Sequence, residues 1–138
     1  MKILLTNWIN LLGVFIVNFA FSVVLTLTDP SLSYNIFQAM LAALFSVLGY
    51  GMMFWALFIV SLVIMDLILI IPNRKNLKIR LLIEWIIISS PFIYWTVKYH
   101  EWIFVAAVIA FFISQQLREK RIMVKQALKH LQPTNQGH

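Results

Sequence analysis

The chain has no cysteine, only five acidic residues, four glycines and four prolines in 138 residues. Without cysteine there is no disulfide, no thiolate metal site and no cysteine nucleophile. The four glycines are too dispersed to cradle a phosphate. No P-loop, dinucleotide-binding turn or paired nucleophile and base is found. His100, His130 and His138 are scattered over loop and tail without metal-ligand spacing. No enzyme, cofactor or metal is expected.

Charge is scarce as well. Charged residues make up 12% of the chain, against about 25% in soluble domains. Between Asp29 and Asp66 thirty-six residues pass without one. Hydrophobic residues reach 62%, more than a soluble core of this size could hide without exposed, aggregating patches. The expected fold is therefore all-α, a polytopic membrane bundle in a single domain over residues 1–117, followed by a basic tail over 118–138.

A membrane core is crossed by about 20 apolar residues. Spans are expected over 8–27, 50–71, 81–97 and 102–117. Ala20-Phe21-Ser22 offers a small-x-small cleavage pattern, but the apolar run continues beyond it, so an uncleaved anchor is expected. The run from Ile36 to Ile71 would make a helix about 54 Å long, too long for a core of about 30 Å. Counting back from Ile71 places a break near Tyr50-Gly51. Residues 36–49 are then left as an outer interfacial or re-entrant helix, with a fifth short span as the rival reading. Ser89-Ser90-Pro91 should kink the third span. Tyr94, Trp95, Tyr99 and Trp102 form an aromatic belt at the outer turn.

Basic loops stay cytoplasmic. Four spans put ten of the eleven basic residues on one side and Lys98 alone on the other. The expected home is a bacterial cytoplasmic membrane, with both termini inside.

Asp66 and Glu84 are the pointed candidates, because ionisable groups in spans often mark ion or proton paths. The plainer reading is pairing at the headgroup level. Glu84 follows Arg80 at the i,i+4 spacing of a salt bridge, and Arg74 or Lys75 lies within reach of Asp66. Asn18, mid-span, is expected to bind another helix by its amide. Ala39, Ala43 and Ser46, and again Ala106, Ala110 and Ser114, give small-residue faces for close helix packing, within the chain or against a partner. On the tail helix Leu117, Val124, Leu128 and Leu131 share an apolar face. Arg118, Lys120, Arg121, Lys125 and Lys129 are assigned to anionic headgroups or an acidic partner. The charge is explained by topology, so nucleic acid is not expected.

The expected function is that of a non-catalytic accessory or assembly subunit, or an immunity-like interaction protein. It would act through helix contacts in lipid, with a membrane-protein partner or a second copy. The alternative is a small oligomeric ion- or proton-coupled transporter or channel subunit using Asp66 and Glu84.

Overall fold

In the computed structural model, residues 4–72 and 75–131 are described. Lys2, Arg74 and tail residues 132–138 lie outside them. All regular structure among the described residues is helical. After a 3-10 turn over Leu4–Asn7 come α1 (Trp8–Thr28), α2 (Ile36–Phe45), α3 (Met52–Met65), α4 (Leu77–Tyr99) and α5 (Trp102–Leu131). Among the described residues, three stretches are long and apolar enough to cross a membrane: Leu4–Thr28, Met52–Ile70 and Trp102–Leu131. Helix α4, expected as a span over 81–97, is not one of the three. Its apolar run is interrupted by Glu84, Ser89, Ser90 and Pro91, although the helix continues through the proline. Ser90 donates its hydroxyl to the Ile86 carbonyl at 2.7 Å.

The long charge-free run breaks where the count placed it. Helix α2 passes into a π-helical turn over Ser46–Tyr50, and Gly51 separates it from α3. The glycine has an ordinary φ of −78°. Its role is steric, because a Cβ there would lie 2.2 Å from the Val47 carbonyl oxygen. That same carbonyl accepts the Trp55 indole N–H at 3.0 Å. Asn35 starts α2 with a reciprocal capping box to Gln38, which satisfies two amide donors at once. The short apolar helix over Ile36–Gly49 packs on α1.

The bundle is polar within and apolar without. Phe45, Met53 and Val97 are more than two-thirds exposed, while Asn10, Asp66, Glu84 and Arg118 are fully buried. In water this would be inverted; in lipid it is the stable arrangement. The apolar interior that does exist is mainly aromatic. Phe54 packs on Phe92 at 4.7 Å between ring centroids, and Phe58 meets Phe111 edge-on at 5.1 Å. Such offset and edge-to-face pairs are favoured by the ring quadrupole.

The first and last helices make the closest pairing. Gly13 of α1 faces Ser114 of α5, so near that an added Cβ would lie 2.9 Å from the serine Cβ. Ser114 folds its hydroxyl back onto the Ala110 and Phe111 carbonyls of its own helix, leaving a small surface for α1. On α4, Leu77, Leu81, Glu84, Ile88 and Phe92 are buried at spacings of three or four, a single helical face.

Candidate functional site

One guanidinium organises the interior. Arg118 is fully buried on α5, four residues beyond Ser114 and four before buried Ile122. Its Nε donates to the Thr6 hydroxyl at 2.8 Å. Its Nη2 donates to Asp66 Oδ2 at 2.6 Å, and its Nη1 lies 3.4 Å from Glu84 Oε2. The planar fork thus binds three separate segments at once, which lysine could not match.

The backbone prepares each partner. Asp66 opens a π-helical turn over Asp66–Ile70, and the Ile71 N–H closes it on the Asp66 carbonyl at 2.9 Å. Such one-turn bulges re-aim a side chain inside a helix. Arg80 reaches the Leu69 carbonyl of the same turn through its guanidinium. Asp66 also accepts from the Asn7 amide at 2.7 Å, and Asn7 in turn accepts from Asn10 at 3.4 Å. Below the ions, Ile70, Leu77, Leu81 and Ile122 close an apolar layer.

The pairings expected from sequence are replaced. Glu84 is held by Arg118, not by Arg80 four residues away, because Arg80 turns to the Leu69 carbonyl. Asp66 is likewise held by Arg118. Both carboxylates are fully buried. Arg118 itself does not meet headgroups; its position on the buried face of α5 carries it inward. Lys120, Arg121, Lys125 and Lys129 are exposed, and Arg121 sits over the Trp8 ring at 5.3 Å.

The tail's apolar residues lie on its exposed surface. Leu117, Val124, Leu128 and Leu131 are each more than half exposed, and α5 runs without interruption past residue 117. Of the small residues, Ala39 and Ala43 are fully buried on the helix that packs on α1, Ala110 and Ser114 are buried on α5, Ala106 is half-buried and Ser46 is exposed. Asn18 is buried, but its amide oxygen accepts no hydrogen bond.

Sequence reasoning missed Thr6, Asn7, Asn10 and Gln115. Thr6, Asn7 and Asn10, with Asn18 and Ser22, lie at buried positions along the N-terminal helix, a polar stripe that periodicity alone could have revealed. Gln115 directs its amide nitrogen at the Glu84 carboxylate, and its amide oxygen has no hydrogen-bond partner.

Chemically, the cluster holds two carboxylates and one guanidinium, with Asp66 Oδ1 left without a partner. Its ions are mutually bound, and neither the 380 Å³ nor the 430 Å³ cavity of the bundle is lined by any of the three. No family model matches the chain, and no curated protein or solved structure matches it either.

Proposed function

We propose that the chain is a small, non-catalytic membrane protein that acts through helix contacts in the bilayer, as an accessory or assembly subunit or as an immunity-like interaction protein. One observation carries this reading. Asp66 and Glu84, the ionisable groups best suited to transport, are bound by a fully buried Arg118. Their charge is spent on holding α3, α4 and α5 and the N-terminal turn in register. A buried pair of this kind fixes an arrangement more than it adds net stability.

In this reading α4 is a fourth span and both termini face the cytoplasm of a bacterial cell. The ten-to-one distribution of Lys and Arg supports that orientation. The exposed Lys120, Arg121, Lys125 and Lys129 then lie where anionic headgroups concentrate. Reporter fusions at Met1 and His138 test the topology, and opposite locations of the two ends would reject four spans. Purification in mild detergent after cross-linking tests the role: reproducible recovery of larger membrane subunits is expected.

A second reading has its own observation. Two carboxylates share one guanidinium, and Asp66 Oδ1 is unpartnered, so the cluster keeps one free acceptor for a proton. In this alternative the chain is a proton- or ion-coupled transporter or channel subunit working as an oligomer. Proton flux into liposomes that disappears in Asp66→Asn, with the bundle intact, would establish this second reading over the first.

A further inference from the structure

Between α4 and α5 lies a polar feature outside the ion cluster. It is a cavity of about 380 Å³, within the roughly 300–1,000 Å³ range of small-molecule sites. Lys78, Gln115, Gln116 and Glu119 supply its polar lining. Gln115 is 3% exposed; its amide nitrogen faces the Glu84 carboxylate, and its amide oxygen lacks a partner. A buried amide oxygen left bare is costly. That free acceptor fits a ligand that carries a donor.

The charges narrow the class. Lys78 lies in the first turn of α4, where the positive end of the helix dipole favours a phosphate. Glu119, on α5, lines the same cavity and sets a carboxylate against any purely anionic ligand. A quaternary ammonium could balance Glu119 but would have no N–H to offer Gln115. A primary ammonium tethered to a phosphate satisfies both. The remaining wall is apolar: Trp85 and Phe112 pack edge-on at 5.0 Å, and the Trp85 N–H is already given to the Val108 carbonyl at 3.1 Å. That surface suits acyl methylenes.

We propose that this cavity binds one phosphatidylethanolamine-type phospholipid, its phosphate at Lys78, its ammonium at Glu119 and Gln115, and its chains leaving along Trp85 and Phe112. The exposed Lys75 and Lys78 mark the headgroup level of the bundle, so a membrane lipid arrives at the right depth. This site goes beyond the proposed function, since it requires only that the chain sit in a bilayer.

The test uses the full-length protein in mild detergent, titrated with phosphatidylethanolamine, phosphatidylglycerol or phosphatidylcholine. Native mass spectrometry counts the retained lipids, and brominated chains report proximity by quenching Trp85, assigned by comparison with Trp85→Phe. One phosphatidylethanolamine is expected to be retained, with at least about tenfold preference over the other two. Glu119→Gln and Lys78→Gln, both away from the packed interior, should each remove most of that preference while leaving the melting curve unchanged. Gln115→Leu should weaken retention of all three lipids. Equal retention of the three lipids, a preference for phosphatidylglycerol, or an unchanged preference in Glu119→Gln would overturn the assignment. Full displacement by water-soluble glycerophosphoethanolamine would overturn the lipid as ligand in favour of the free headgroup.

Discussion

Gly13 and Ser114 meet so closely that the first and last helices touch almost backbone to backbone. Small residues permit such approach in lipid, where van der Waals packing must replace the hydrophobic drive. Gly13→Ala is expected to destabilise the bundle by about 1–3 kcal/mol through overpacking, and Gly13→Val by more. Thermal melts in detergent check this. Ser114→Gly in the Gly13→Ala background should recover part of the loss, because it removes the Cβ that the new methyl meets.

Arg118→Gln leaves two buried carboxylates without their cation. Removing one partner of a buried pair costs about 3–5 kcal/mol, enough to cancel much of a small protein's stability. The triple variant Arg118→Leu, Asp66→Asn, Glu84→Gln removes all three charges and should melt well above Arg118→Gln. Denaturation in mixed micelles measures the difference. If the triple variant is no more stable than the single one, the ions do not act as a unit.

The break between α2 and α3 depends on the space beside the Val47 carbonyl. Gly51→Ala places a methyl into that oxygen and should lower stability by roughly 1–3 kcal/mol, even though its φ is permissive. Trp55→Phe removes the indole donor to the same carbonyl and should cost about 0.5–1.5 kcal/mol. Hydrogen exchange should report faster opening over residues 46–52 in both variants.

Outside the spans, Asp29 accepts the Ser31 hydroxyl at 2.6 Å and the Ser31 N–H at 2.9 Å. The hydroxyl first, and then the N–H, hold the carboxyl below its ordinary 3.8. A carboxyl lowered in the folded state supports the turn above its unfolded value and loses that support as the pH falls through the folded one. The turn is therefore at full strength at neutral pH and loosens only below about pH 4. Ser31→Ala should raise the Asp29 titration midpoint toward 3.8, read by carboxyl NMR.

The break at Gly51 and the short helix before it were legible because both follow from length against membrane thickness. Asp66 and Glu84 stood out for the same kind of reason, as rare charges in apolar runs. Their partner did not. Arg118 lies 52 residues from Asp66 and 34 from Glu84, in a basic stretch that orientation already explained. Local spacing offered Arg80 instead. The signal that distinguishes Arg118 is its register, since Ser114, Arg118 and Ile122 share one buried face. An apolar face does not mark the inward side here, because in lipid the outward surface is the apolar one.

Arg118 also donates to Thr6 across 112 residues of chain, and this bears on how the protein is made. Synthesis delivers Asp66 and Glu84 to the membrane long before the guanidinium that neutralises them. Until the last helix enters, the nascent bundle carries unmatched carboxylates, a state that insertion machinery or a holding chaperone must tolerate. Arg118, gripping the turn over Leu4–Asn7, then closes the cluster. Polypeptides cut short before residue 118 lack that guanidinium and leave both carboxylates without it.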